Sequence, residues 1–145
     1  MASEFTIERL VEFSDTDMAG VVHFAQFFRY MEACETAFLR SLGLALIDET
    51  GAQRTGWPRV RASCEYRVPL RFGDTVEVRL AVKEIKPRAL GYGFRFCKLT
   101  PGSPPVEVAI GELTVVCAEL DDATHRMTSR EIPAAVLAKL KIAPS

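Results

Sequence analysis

Residues 15–24 read Asp15-Thr16-Asp17-Met18-Ala19-Gly20-Val21-Val22-His23-Phe24, and they join two different hydrophobic patterns. Before them, apolar side chains recur at every second position, interrupted only by Arg9, which predicts a strand through Phe5, Ile7, Val11 and Phe13. After them, from Ala25 to Leu42, apolar residues fall three and four positions apart, which predicts one face of a long helix. The quoted stretch is therefore predicted to connect a strand to a helix.

Beyond this helix the chain has the pattern of successive strands. Residues 44–58 are predicted to be irregular, because Gly51, Gly56 and Pro58 interrupt them. Strands are predicted at residues 60–66, 76–82, 92–96 and 106–120, and a short helix at 133–140. The short turns between strands imply antiparallel pairing. The prediction is an α+β architecture, in which a helix roughly 27 Å long, at about 1.5 Å per residue, covers a sheet of several strands.

Composition limits the class of protein. The 145 residues, of which 48% are hydrophobic, fit one domain over residues 1–145 with a core that needs no metal or disulfide. The net charge of −1 gives no support for bulk attraction to nucleic acid or to an anionic membrane. The cysteines form no CxxC pair, which favours reduced thiols in the cytoplasm. Neither a signal peptide nor an apolar run of the ~20 residues that a membrane span needs is expected.

Asp17 is the centre of the predicted chemistry, because it places a carboxylate beside the start of a helix. Amides at a helix start lack intrahelical acceptors and carry partial positive charge. No Ser, Thr, Asp or Asn stands at the expected cap, so these amides are predicted to be free for a ligand. A carboxylate and such amides could attack a carbonyl carbon and hold the resulting oxyanion. Alternatively, Asp15 and Asp17 only stabilise the turn, and residue types alone favour this alternative.

Other chemistries have less support in the sequence. Asp15, Asp17 and Gly20 have the spacing of a calcium-binding EF-hand loop, but Ala19 and Gln26 replace two oxygen ligands. The chain has neither a G-x-S-x-G nucleophile motif nor a glycine-rich phosphate loop. We therefore expect no metal and no cofactor.

Several further residues have two interpretations. His23 is either a base or an ordinary packed side chain. Glu32 and Glu35 are predicted on a solvated face of the helix, with an orienting role for Glu32 as the alternative. Lys86 and Arg88 form a solvated turn, unless the substrate carries phosphates that they would bind. A set of large apolar side chains has two interpretations that fit the sequence equally well, because they could line a pocket or pack in the core. These side chains are Phe24, Phe27, Phe28, Met31 and Trp57.

Two segments resemble the signatures of a known family. Residues 13–24, followed by Phe27, Phe28 and residues 29–32, resemble the opening of the 4-hydroxybenzoyl-CoA thioesterase family of hotdog-fold proteins. Residues 66–74, from Tyr66 to Asp74, look like that family's second signature, which turns between strands. The order of strands and the single long helix agree with the family over about residues 5–120.

The resemblance implies a long central helix wrapped by a curved antiparallel sheet of about five strands, in a homodimer or homotetramer whose sheets join edge to edge. It implies hydrolysis of an acyl-CoA thioester at the subunit interface. It places the catalytic carboxylate on Asp17 and the oxyanion-binding amide at about His23 or Phe24. The implied substrate-binding residues are Gly20, Val21, Phe27 and Trp57, with Lys86 and Arg88 near the CoA phosphates.

The resemblance leaves three points open. Asp17 could attack the thioester directly or act as a general base on water. The alternatives to a hydrolase are a non-catalytic acyl-CoA-binding module and a hydratase or dehydratase, which would need His23 for proton transfer. The acyl group could be aryl, dihydroxynaphthoyl or aliphatic.

Overall fold

One long helix packs against a five-stranded antiparallel sheet in the computed structural model, which describes all 145 residues. The helices are α1 (Gln26–Ser41) and the short α2 (Ala134–Leu137). The strands are β1 (Glu4–Leu10), β2 (Arg54–Gly56), β3 (Arg59–Tyr66), β4 (Thr75–Ile85), β5 (Ala89–Leu99), β6 (Val106–Val116), β7 (Ala118–Asp121) and β8 (Arg126–Ser129). The main sheet has the order β1-β4-β5-β6-β3. The α+β prediction and the five-stranded antiparallel sheet are confirmed.

The alternation of side chains along β4 and β5 builds the inner face of this sheet. The inward side chains are buried, and they are Val76, Val78, Leu80 and Val82 of β4 with Leu90, Tyr92, Phe94 and Phe96 of β5. Each such burial contributes about 1.5–3 kcal/mol. A slip of one residue would move a whole set to the outer face, so burial fixes the register.

Helix α1 approaches β6 closely at Gly111. A Cβ atom on Gly111 would overlap the terminal methyl group of Met31, so any larger residue there would require the end of the Met31 side chain to move. Met31 and the neighbouring Phe27 are buried between α1 and the sheet. The structure contains no helix with the length and apolar character that a bilayer crossing needs.

A second, three-stranded sheet of order β2-β7-β8 was not predicted. Residues 44–58, predicted to be irregular, contain β2, which pairs with β7. The predicted strand at 106–120 is two strands in two sheets, divided at Cys117. The Cys117 N–H donates to the Arg88 carbonyl over 2.8 Å and the Cys117 carbonyl accepts from the Arg130 N–H over 2.9 Å. Because Cys117 is buried like its neighbours, the hydrophobic pattern carries no sign of this division.

Two predicted boundaries were wrong. Phe13, predicted at the end of the first strand, lies in a single 3₁₀ turn (Phe13–Asp15) with its side chain exposed against Phe72. The strand stops earlier because the Glu12 N–H turns to the Asp15 carboxylate, 2.9 Å away, and starts that turn. The C-terminal helix is limited to α2, shorter than the predicted 133–140.

The prediction that Glu35 lies on a solvated face was also wrong. Its side chain is fully buried and forms a two-pronged ion pair with the Arg59 guanidinium. Arg59 also donates to the Trp57 carbonyl over 2.9 Å, and Glu32, which stays exposed, lies 3.6 Å from Arg59. Burial raises the pKa of Glu35, and the facing guanidinium opposes that rise. The ion pair therefore links α1 to the start of β3.

We expect Arg59→Leu to lower the free energy of unfolding by about 3–5 kcal/mol, because the Glu35 carboxylate would stay buried without a partner. The double variant Arg59→Leu/Glu35→Leu should recover most of this loss, since it removes both charges. Urea unfolding measures both changes. Arg126→Leu, at an exposed arginine on β8 without an ion pair, is the control, with a change within about 0.5 kcal/mol.

The loss in Arg59→Leu should shrink as the pH falls from neutral towards the ordinary pKa of glutamate. Because burial raises the folded-state pKa of Glu35, the folded protein takes up the proton first, and the cost of the buried charge disappears. A double variant no more stable than Arg59→Leu would contradict this account of the ion pair.

Candidate active site

Asp17 is held in a tight turn that leaves part of its carboxylate free. Its N–H donates to the Val21 carbonyl over 2.9 Å, and the Gly20 N–H donates to the Asp17 carbonyl over 3.0 Å. Gly20 has φ +80°, which glycine adopts without strain. Oδ1 of Asp17 accepts the Ala19 N–H over 2.9 Å, whereas Oδ2 has no protein donor and no cation pairs with the carboxylate. The turn therefore uses one oxygen of Asp17 and leaves the other available.

Asp15, two residues earlier, ties the turn to helix α1. Its Oδ2 accepts the Tyr30 hydroxyl over 3.0 Å and the Glu12 N–H over 2.9 Å. Its carbonyl accepts the His23 N–H over 2.9 Å. Burial, together with the bond to Asp15, raises the pKa of Tyr30. Asp15 thus has a structural role that crosses to the helix, whereas the Asp17 carboxylate bonds only within its own turn and lines a cavity that Asp15 does not reach.

The start of α1 presents a free amide at Phe24. The cap position is Ala25, which provides no side-chain hydrogen bond. The His23 N–H is used by Asp15, and the Ala25 N–H donates to Nδ1 of His23 over 3.1 Å. The Phe24 N–H between them has no acceptor in the structure. Of the two predicted candidate oxyanion donors, only the Phe24 N–H is free. The His23 ring stacks on the Phe24 ring, with 4.6 Å between the ring centroids.

Asp17 and Phe24 line one cavity of about 330 Å³. Most of its walls are apolar, and its other lining residues are Val21, Val22, Phe27, Tyr66, Arg67, Val68, Pro69 and Leu70. Phe27 is buried and meets Phe96 edge to face, so the wall that it forms is continuous with the core. The cavity is thus mostly apolar, and two of its lining residues are Asp17, with a carboxylate oxygen free of protein donors, and Phe24, with an N–H that has no acceptor.

Tyr66 is a site residue that the sequence prediction missed. It ends β3, and its hydroxyl donates to the Phe24 carbonyl over 2.9 Å. Its ring packs edge to face against Phe27 at 5.1 Å. Burial raises the pKa of Tyr66 to about 12. Tyr66 stands at the start of the second signature, residues 66–74, and this position was the sign in the sequence that could have pointed to it. The signature gives no information about which helix residue Tyr66 contacts.

Four predicted substrate-binding residues do not line this cavity within one chain. Gly20 belongs to the turn of Asp17 but stays outside the cavity lining. Trp57 is buried and lines a separate cavity of about 760 Å³ between the end of α1 and the 43–55 segment. Lys86 pairs with Glu84 at 3.3 Å, and Arg88 donates to the Ser129 carbonyl over 3.0 Å.

The distance along the sheet explains this separation. The β4–β5 turn that carries Lys86 and Arg88 lies at the far end of β4, whereas the turn of Asp17 follows β1, whose last residue Leu10 pairs with Thr75 at the near end of β4. The length of β4 therefore puts the two groups roughly 30 Å apart at about 3.3 Å per residue.

Comparisons with known proteins agree with this architecture. A family model described as the thioesterase-like superfamily matches residues 11–140. A 1,4-dihydroxy-2-naphthoyl-CoA hydrolase of Prochlorococcus marinus (strain NATL2A) is 32% identical over 99 residues, which cover 63% of this chain and 64% of that protein. The 4-hydroxybenzoyl-CoA thioesterase of Pseudomonas sp. (strain CBS-3) is 25% identical over 136 residues, covering 92% of this chain and 95% of that protein.

One solved structure is similar to this chain over most of its length. The structure of a gentisyl-coenzyme A thioesterase matches with a TM-score of 0.76 and 29% identity, over 91% of this chain and 98% of that one. The chain spans less than two thirds of the length of the first curated relatives that it matches. The hotdog fold predicted from the sequence is confirmed, and the match of the family model to nearly the whole length establishes that the chain belongs to the thioesterase-like superfamily.

Proposed function

We propose that this protein hydrolyses acyl-CoA thioesters to a free acid and CoA. The observation that carries the proposal is the presence, in one apolar cavity, of an Asp17 carboxylate oxygen without a donor and a Phe24 N–H without an acceptor. The first provides the negative charge that drives attack on a carbonyl carbon, and the second can hold the oxygen that becomes negative. The family and the names of the relatives support the same activity.

Two routes lead from this arrangement to the same products. In the first, the Asp17 carboxylate attacks the thioester carbon, the CoA thiolate leaves, and water hydrolyses the resulting anhydride. In the second, Asp17 takes a proton from water, and the hydroxide attacks as the thiolate leaves. In both, the Phe24 N–H stabilises the tetrahedral intermediate. Neither route needs a metal or a cofactor.

The two alternatives to a hydrolase have less support. A hydratase or dehydratase needs a proton carrier near the carboxylate, but His23 does not line the cavity, and its Nδ1 already accepts the Ala25 N–H. A non-catalytic binding module would need neither a carboxylate oxygen free of protein donors nor a free amide at a helix start beside its ligand.

Aryl thioesters are the acyl class that we propose. The rings of Phe24, Phe27 and Tyr66 line the cavity and offer flat apolar surface to an aromatic group. The three relatives described above are all named for hydroxyaryl-CoA thioesters. We also propose a cytoplasmic location, which the four free cysteines support.

We expect Asp17→Asn to lower kcat by about 10²–10⁴-fold with a small change in KM, because the amide can neither attack nor accept a proton. A thiol-release assay with benzoyl-CoA and hydroxybenzoyl-CoA measures this. Asp121→Asn is the matched control, since Asp121 also accepts an N–H two residues on but lies outside the cavity. Turnover of Asp17→Asn equal to that of the control would reject the assignment.

A single turnover in ¹⁸O-labelled water distinguishes the two routes. Label in the Asp17 side chain would establish direct attack, because a general base gains no solvent oxygen, whereas water that opens the anhydride at the Asp17 carbonyl leaves its oxygen there. Label found only in the free acid would exclude an anhydride opened at the Asp17 carbonyl. Mass spectrometry of the peptide that contains residue 17 gives the result.

We further propose that the active form is a dimer joined through β3. This strand is at the end of the sheet order, so one of its edges carries unpaired backbone groups. Exposed apolar side chains flank both of its ends, with Phe24, Tyr66 and Val68 at one end and Val60 at the other. Antiparallel pairing of two β3 strands would bury these groups and join two sheets into one.

This pairing would bring the distant basic residues to the site of the other copy. Within one chain, Arg59 pairs with Val115 and Val115 pairs with Leu90, so Arg88 lies at the Arg59 end of β3. In an antiparallel pair, that end lies beside the Tyr66 end of the second copy. Lys86 and Arg88 of one subunit would then face the Asp17 cavity of its partner, where they can bind the CoA phosphates.

Mixed dimers test this arrangement. Arg88→Ala and Lys86→Ala homodimers should show a raised KM for acyl-CoA, and Asp17→Asn homodimers should be inactive. A mixed dimer of Asp17→Asn with Arg88→Ala contains one complete site only if the two residues act across the interface. We therefore expect activity with the wild-type KM to return on mixing and subunit exchange. A mixture that keeps the raised KM would show that both residues act from one chain.

A further inference from the structure

A single hydrogen bond connects the last residue of β3 to the segment that starts α1. The Tyr66 hydroxyl donates to the Phe24 carbonyl over 2.9 Å, and no helix amide shares that acceptor, because the Phe28 N–H bonds to the Ala25 carbonyl instead. The Tyr66 ring is braced by Phe27 at 5.1 Å, and Phe27 in turn packs on Phe96 of β5. The ring that carries the hydroxyl is therefore connected through Phe27 to the buried core.

The peptides on both sides of the Phe24 α-carbon are fixed, each by a different contact. On the N-terminal side, the peptide that carries the Phe24 N–H is held by the His23 carbonyl, which accepts the Gln26 N–H over 2.9 Å. On the C-terminal side, the Ala25 N–H donates to the His23 ring, and the Phe24 carbonyl accepts only from Tyr66, which is the one contact of the two peptides that comes from the sheet. Without that bond, the peptide that joins Phe24 to Ala25 loses its only hydrogen bond to the sheet.

Resting on the proposed hydrolysis, we propose that Tyr66 is a positioning residue, whose hydroxyl fixes the Phe24 carbonyl and thereby holds the Phe24 N–H in place for the oxyanion. An amide stabilises a developing charge best when its orientation is set before the reaction begins. The hydroxyl hydrogen of Tyr66 is committed to the carbonyl, so the role that we assign is orientation and not proton donation.

Tyr66→Phe removes this hydroxyl and keeps the ring contact with Phe27. We expect kcat to fall about tenfold, the lower end of what loss of a supporting contact costs, while KM stays within about twofold because the apolar walls are unchanged. The shape of the pH–rate profile and the melting temperature should not change. Tyr92→Phe, which removes a buried tyrosine hydroxyl far from the cavity, is the matched control and should leave kcat unchanged.

An infrared measurement reports on the amide without turnover. In the Asp17→Asn background, we expect the hydrogen bond from the Phe24 N–H to lower the carbonyl stretching frequency of bound benzoyl-CoA that is labelled with ¹³C at its carbonyl. Adding Tyr66→Phe should move that frequency back towards its value in solution, and adding Tyr92→Phe should not.

The outcomes separate the two proposals. A Tyr66→Phe kcat within twofold of the Tyr92→Phe value, or an unchanged carbonyl frequency, overturns the positioning role while the hydrolase proposal stands. The positioning role is also overturned if the fall in rate at alkaline pH disappears in Tyr66→Phe, because that result favours proton donation by Tyr66. Failure of the hydrolase proposal appears elsewhere, as an Asp17→Asn variant that turns over at the wild-type rate.

Discussion

The hydrogen bond between Asp15 and Tyr30 is the contact on which the candidate site depends. It ties the turn after β1 to the second turn of α1, and the Asp15 carbonyl ties the same turn to the His23 N–H. Asp15 therefore provides hydrogen-bond acceptors both for the turn and for the start of the helix. One oxygen of Asp17 and the Phe24 amide have no partner within the protein. Because both residues are exposed, these groups are accessible to a ligand that enters the cavity.

The elements that could be predicted from sequence are those whose pattern is complete within a few residues. The apolar face of α1 and the strict alternation of β4 are local signals, and both elements lie where they were predicted. The division at Cys117 could not be predicted, because a buried residue continues the hydrophobic pattern while its backbone bonds turn to Arg88 and Arg130. A strand as short as β2 carries too few positions for any period to be recognised.

The same distinction applies to the candidate site. Asp17, Val21, Phe24 and Phe27 fall within eleven positions of one another, so one turn and the start of one helix bring them to the same cavity. Tyr66 comes from a strand forty residues later, and only the pairing of β3 with β6 sets its position. Glu35 was misplaced for a related reason, since its partner Arg59 is distant in sequence and nothing local distinguishes a buried carboxylate from a solvated one.

The surroundings of Asp17 also bear on how binding and chemistry are connected. No lysine or arginine pairs with its carboxylate, so no cation competes for the lone pairs that must attack or accept a proton. In the proposed reaction, an apolar acyl group that fills the space between Phe24, Phe27 and Tyr66 excludes water from the exposed oxygen and leaves the carboxylate facing the thioester carbon. Fixed protein dipoles, the Phe24 amide among them, then replace solvent around the reacting atoms. On this proposal the fit of the acyl group to the apolar walls affects the rate as well as the affinity, because poor filling leaves Asp17 hydrated.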